Sequence, residues 1–479
     1  MRFTDSRSKI LLSERWLSVI AHSLFSSWML SFIFEGEVFY SLMGIFDFDS
    51  HAMVFGGIAA VFLGLLLSGF FIKTKRGAKR TFLYSYLFCI VMSVPFFFPP
   101  SVLWTVGIIA GSFMSGSCVA AWGYYLKSST PKIGRIKTVA DMLILSNILM
   151  ILLNMAALWI SPHSGLALSM IMLILAFLFA LKLPGDNCIS SSASFERDKS
   201  RISIAPLLVF LCIFIIVITI NSGLMYQVVN PAFAHLKWLT SWYWAIPYII
   251  AVFIMGHLPQ KVNRAYILYV AIAMIGISFI SFMILDHNVA GYIAVNTLML
   301  GAFGVCDLFW WSILGEMLDF HKNPAAILGI GLSANVLGIL LGGLIGNAIV
   351  SVGKQSADPV LLALAVVCVA LALLPFLHRY LSSLLRDHTY LRIFSEISAQ
   401  EQIRQPDYDA VFESLSEREN QVASRLLQGK TYRIIAGELY ISENTVKYYV
   451  KNIYSKLKIQ SRGELVNIFL EKRGIGTGK

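Results

Sequence analysis

Charge is what this chain most lacks. Asp, Glu, Lys and Arg make up 14% of its 479 residues, against 57% hydrophobic ones and a mean hydropathy of +0.72. An ordinary soluble domain carries roughly a quarter charged residues, so most of this chain is expected in lipid. Cysteine is sparse too. The six, at positions 89, 118, 188, 212, 306 and 368, show no paired spacing, and all but Cys188 fall in apolar runs, which argues against a disulfide framework. The nine histidines are scattered, with no H-E-x-x-H or C-x-x-C arrangement, so no metal site is expected. No nucleophile and no paired carboxylates stand out, and neither catalytic residues nor a cofactor are expected.

Long apolar runs are what is present. They lie near 16–34, 51–72, 80–98, 101–126, 138–160, 165–183, 204–229, 241–257, 264–285, 289–318, 324–352 and 359–381, about twelve segments for a hydrocarbon core of about 30 Å. Basic residues precede the first run, but no small-x-small cleavage site follows it, so it is expected to be a retained membrane helix. Lys and Arg gather before span one and after spans two, four, six and eight, while the intervening loops are nearly bare of cations and the first carries Glu35, Glu37, Asp47 and Asp49. By the positive-inside rule both termini are expected in the cytoplasm. The polar loop Leu183–Arg201 divides the spans into two groups of six.

Twelve spans in two sixes, with a basic loop after the second span of each six, resemble the major facilitator superfamily. In that family this loop carries a glycine, an acid and several cations. Here "GFFIKTKRGAKR" from Gly69 and "GHLPQKVNR" from Gly256 keep the glycine and the cations, with Gln260 where the second acid belongs. The missing acids imply a scaffold that has loosened or given up alternating access. Spans one, seven and ten line the central cavity in the resembled family, which makes His22, Trp28, Asn221, Gln227, Asp307, Trp310 and Trp311 candidate ligand contacts. Polar groups at membrane depth are costly and therefore functional candidates. The bland alternative is that the tryptophans face lipid and the amides bridge helices. Glu316 and Asp319, at the end of span ten, are expected to pair with a loop cation. "GIGLSA", Gly329–Ala334, matches a dinucleotide pattern but lies in a membrane run without the required strand. Gly338, Gly342 and Gly346 read as close helix packing.

The tail is different. From Leu415 it runs "LSERENQVASRLLQGKTYRIIAGELYISENTVKYYVKNIYSKLKIQSRGELVNIFL". Ser416 with Glu419, and Ser461 with Glu464, are capping boxes, Gly429 is a helix stop and Thr431 opens the second of four short helices. The second and third, joined by a tight turn at Ile441 and Ser442, have a helix-turn-helix layout. In the third helix Val446, Val450, Ile453 and Leu457 form one apolar stripe. The other face presents Asn444, Thr445, Lys447, Tyr448 and Lys451, with Lys458 just beyond, the surface that enters a major groove in this motif. Residues 411–479 hold twelve Lys and Arg against seven Asp and Glu, a surplus of five.

"LSERE", Gly429, Ile435, Ala436, Leu439, "ISENTVK" and Lys456–Leu457 resemble the LuxR-type DNA-binding domain over about 55 residues. The departures are Tyr449 and Gln421. The resemblance implies that Thr445, Lys447 and Lys451 touch phosphates or bases and that the fourth helix pairs two copies on DNA. The expected architecture is thus all-α: a polytopic bundle of about twelve membrane helices, 1–382, a helical linker, 383–410, and a helix-turn-helix domain, 411–479. The expected partners are double-stranded DNA, membrane lipid, a small-molecule ligand and a second copy on DNA, at a bacterial inner membrane. No phospho-acceptor receiver pattern is seen, so the ligand is expected to act directly. The competing expectation is a transporter with an appended autoregulatory domain.

Overall fold

The computed structural model describes residues 2–33, 36–46, 51–185, 205–257, 264–319, 321–351, 360–376, 415–427, 432–439, 441–457, 459, 462 and 464–465. Every regular element among them is helical. The chain divides into two compact units, Met1–Leu377 and His378–Lys479. The linker expected at 383–410, most of the loop after span six, Gln260, Gly429, Thr431, Lys458 and Ser461 lie outside the described residues.

In the first unit, α1 (Arg2–Trp28), α2 (Glu37–Ile45), α3 (His51–Phe71), α4 (Lys75–Ser93), α5 (Val102–Ser129), α6 (Arg135–Trp159) and α7 (Pro162–Lys182) make one half. The other comprises α8 (Ala205–Leu224), α9 (Ile246–His257), α10 (Arg264–Ile284), α11 (Val289–Met317), α12 (Pro324–Ser351) and α13 (Val360–Phe376). Among the described residues ten stretches are long and apolar enough to cross a membrane. The eighth and twelfth expected spans are shorter, Tyr243–His257 and Val360–Phe376. The eighth opens as a 3-10 turn at Tyr243–Ala245, and Pro247 sits at the second position of the α-helix that follows, where a missing N–H costs nothing. The acidic segment after span one contains α2, a short helix rather than only loop. Glu37 in its first turn suits the positive end of the helix dipole. Large apolar side chains such as Phe71, Val102, Ile160 and Ile284 remain exposed, an outer surface matched to lipid chains.

The halves meet where small residues let backbones approach. α3 packs on α12 and α6 on α9. Gly69 and Gly256, the glycines of the two basic-loop sequences, sit at these two crossings: a Cβ on Gly69 would come 2.7 Å from Ala326 Cα, and one on Gly256 2.8 Å from Ala140 Cβ. Within the second half, a Cβ on Gly342 would stand 2.1 Å from the Ile220 carbonyl oxygen, so the close-packing reading of that glycine row holds for α8 against α12. "GIGLSA" lies inside α12.

Polar contacts tie the halves at the cation-rich end. Arg135 at the start of α6 donates from Nη1 and Nη2 to Asp319 Oδ2 and Oδ1 at 2.9 and 2.8 Å, and from Nη1 to the Gly315 carbonyl at 2.8 Å. Asp319 thus takes the loop-side cation expected for it. Tyr124 donates to Asn323 at 3.2 Å, Asn323 donates to the Gly69 carbonyl at 2.6 Å, and Lys127 donates to the His321 carbonyl at 3.1 Å. Arg15 with Asp141, and Lys75 with Glu14, pair within the first half.

In the second unit α14 (Glu417–Leu427), α15 (Tyr432–Leu439) and α16 (Glu443–Leu457) surround a core that includes Val422, Leu426, Ile435, Val446, Val450, Ile453 and Leu465. The expected fourth helix falls largely outside the described residues.

Candidate DNA interface and membrane cavity

The capping box at Ser416 forms. Its N–H donates to Glu419 Oε2 at 2.7 Å, and Glu419 N–H donates to Ser416 Oγ at 3.4 Å. Lys456, near the end of α16, donates to the same Glu419 oxygen at 2.7 Å, so one buried carboxylate joins the start of α14 to the end of α16. Burial opposes its ionisation, but the hydrogen bonds from Lys456 and Ser416 outweigh burial and hold the carboxyl below the ordinary glutamate range. A carboxyl depressed on folding adds stability that is present above its unfolded pKa and lost as pH falls through the folded one. Denaturant melts of the DNA-binding unit should therefore lose stability in acid below about pH 4.5. Glu419→Gln should cost about 1–2 kcal/mol at neutral pH and flatten that acid limb; an unchanged limb would separate the carboxylate from the effect.

α16 is held at its start by Ser442, whose Oγ accepts the Thr445 N–H at 3.0 Å and meets Thr445 Oγ1 at 2.7 Å. Ser442 is therefore an N-cap as well as a turn residue. Thr445 is partly buried and engaged in that cap, while Asn444, Lys447, Tyr448 and Lys451 are exposed. With Val446, Val450 and Ile453 buried on the other side, these four form one continuous outward strip. Tyr449, the departure from the family pattern, lies partly buried against the core. Lys447 lies 3.7 Å from Glu443, both more than two-fifths exposed, a pairing weak enough to yield to a phosphate. Lys447→Ala and Lys451→Ala should each weaken DNA binding and lower the slope of log affinity on log salt by about 0.9, measured by titration at several salt concentrations; unchanged slopes in both would remove this strip from the interface.

In the first unit a cavity of about 220 Å³ lies between the two halves. α1, α3, α5 and α6 line it from one side, and α8, the Tyr243–His257 segment, α11 and α12 from the other. Spans one and seven each pass into a π-helix, at Met29–Ile33 and Met225–Val229, and Met29, Leu30, Met225 and Tyr226 of these segments face the cavity. Such widened turns are frequent at functional sites. Of the candidate ligand contacts, His22, Asp307 and Trp311 line it. Trp28, Asn221, Gln227 and Trp310 are not among its lining residues. Trp28 is buried beside Phe25 and Phe32, Gln227 packs on Gly346, and Asn221 and Trp310 are buried in the helix contacts. Tyr248 donates to Asp307 Oδ2 at 2.7 Å. The His22 ring lies flat on Trp122, centroids 4.9 Å apart, and Trp122 meets Trp311 edge-on at 5.9 Å.

Sequence reasoning did not find Asn147, Asn335, Tyr226, Trp244 or Tyr248, all of which line the cavity. Two amides inside apolar runs were a usable signal, but they stand on spans five and eleven, outside the spans from which contacts were expected. Among the described residues no His, Cys, Asp and Glu cluster suited to a metal ion is found, and the five described cysteines are free.

The pattern of the bacterial regulatory proteins of the luxR family matches residues 413–469. The nitrate/nitrite response regulator protein NarP of Escherichia coli is 43% identical over 63 residues, 13% of this chain and 29% of NarP. The transcriptional activator protein ExaE of Pseudomonas putida is 33% identical over 89 residues, 18% of this chain and 42% of ExaE. Against these two the chain therefore spans less than half of the relative's length. The spore germination protein GerE of Bacillus subtilis is 42% identical over 52 residues, 11% of this chain but 70% of GerE. Each of these likenesses is confined to a small part of the chain, and GerE is matched over most of its own length. Through that DNA-binding domain, the chain belongs to the luxR family of bacterial regulatory proteins.

Proposed function

We propose that this protein is a one-component transcription regulator tethered in a bacterial inner membrane, whose major-facilitator-like bundle senses a small molecule and controls the DNA-binding domain. The observation that carries this reading is the joining, in one chain, of a luxR-type domain to membrane-length helices whose two halves share a polar-studded cavity. A ligand that prefers one packing of the halves shifts the population toward it. Residues 383–410 pass the change on, by altering dimerisation on DNA or release of the domain from a membrane-proximal surface. Both termini are cytoplasmic in this reading, because the cation-rich loops lie on that side.

The test compares a transcription reporter driven by residues 405–479 alone with one driven by the full chain. The full chain should respond to its ligand and the fragment should not. Identical output from both, under every condition tried, would remove the sensing role. A cavity lined from both halves also suits a transporter, and saturable uptake into vesicles that Asp307→Asn abolishes would favour that reading.

A further inference from the structure

The cavity has a charge character of its own. Among its lining residues Asp307 is the one carboxylate, and neither Lys nor Arg is present. Tyr248 donates to Oδ2 of Asp307 at 2.7 Å, which fixes the carboxylate in place on the lining. An anion brought here would meet a carboxylate with no cation to oppose it, at a depth where water screens little. A cation would find a counter-ion already held in place. Aromatic rings line the same cavity: Trp311, one helical turn along from Asp307, with Trp244, Tyr226, Tyr248 and Phe303. Aromatic faces attract cations, the more so when both are desolvated. His22, on the same lining, has a buried Nδ1 with no partner among the described residues, so polar capacity around the cavity is not spent within the protein.

Size narrows the class. A cavity of about 150 Å³ holds benzene; at about 220 Å³ this one takes a single ring with a short arm. We propose that it binds a small arylalkyl ammonium ion, with Asp307 as counter-ion and the tryptophan and tyrosine faces as its cradle. The inference rests on the sensing reading only for its consequence in transcription. The site itself stands on the cavity's charge, walls and volume.

The probes are 2-phenylethylamine, its neutral relative 2-phenylethanol and the anion 3-phenylpropanoate, titrated against the tryptophan fluorescence of the full chain in lipid nanodiscs. The amine should bind saturably, about thirtyfold or more tighter than the alcohol, the factor for removing one partner of a buried charge pair, and the anion should not bind. Asp307→Asn should erase the preference for the amine, whereas Asp307→Glu, which restores a carboxylate, should keep it. Thermal unfolding of each variant confirms that it is folded. Equal binding of alcohol and amine, binding of the anion, no saturable amine binding, or an undiminished preference in folded Asp307→Asn would each overturn the proposal. A reporter read in parallel separates the two readings. Amine-selective binding with unchanged transcription would keep the site and remove sensing by it. A transcriptional response to the amine that is the same in Asp307→Asn would keep sensing and remove the site.

Discussion

Ile453→Ala should abolish DNA binding by the full-length protein while leaving its membrane insertion intact. Ile453 is fully buried at the centre of the second unit's core, among Val422, Leu426, Ile435, Val446 and Val450. Removing a buried isoleucine side chain down to alanine costs about 2–5 kcal/mol in lost transfer energy and residual cavity. A hydrophobic core in a domain this small rarely supplies more than about 3–5 kcal/mol, so the substitution consumes most or all of its stability. Lys447→Ala, on the exposed face of the same helix, should lower affinity without unfolding the domain. Limited proteolysis beside a mobility-shift titration distinguishes the two. Ile453→Ala should be cleaved within the second unit and fail to shift DNA at any salt concentration. A resistant, DNA-binding Ile453→Ala protein would contradict the core described here.

Asp319→Ala should be the most damaging single change in the membrane unit. It takes both Nη partners on the Asp319 side away from a guanidinium that is 5% exposed, leaving the Gly315 carbonyl as the acceptor shown for it. Removing one member of a buried ion pair costs about 3–5 kcal/mol, whereas replacing both by apolar residues is often neutral. Because Asp319 is 31% exposed, the lower end, about 3 kcal/mol, is expected. The thermal midpoint of the purified protein should drop in Asp319→Ala and recover largely in the Arg135→Met, Asp319→Leu double variant. The pair joins the two halves, so its loss should also shift reporter output without any ligand. A midpoint unchanged by Asp319→Ala would mean that the fork carries no load.

The membrane helices were legible because hydropathy over about 20 residues is a direct physical requirement of the hydrocarbon core. The helix-turn-helix was legible because caps and an apolar stripe leave local marks: Ser416 with Glu419, and Val446, Val450 and Ile453, need no knowledge of the rest of the chain. The cavity was harder. A helix that is apolar on both its lipid and its protein side carries no period that says which face turns inward, and Trp310 and Trp311 are neighbours of which only the second reaches the cavity. Arg135 and Asp319 were each visible as charges, but 184 positions separate them, and only the docking of α6 on α11 makes them partners. α2 was hidden because its run is apolar but only nine residues long, too short to read as a span of its own.

In the reading proposed above, one chain spans the membrane and presents its luxR-type domain to the chromosome. Fusions at Lys479 test it most directly, one to green fluorescent protein, which fluoresces in the cytoplasm, and one to alkaline phosphatase, which is active only after export. The fluorescent fusion should be bright, membrane-bound and able to occupy DNA, and the phosphatase fusion should be silent. An active phosphatase at Lys479 would place the DNA-binding domain on the wrong side of the membrane and contradict the claim outright.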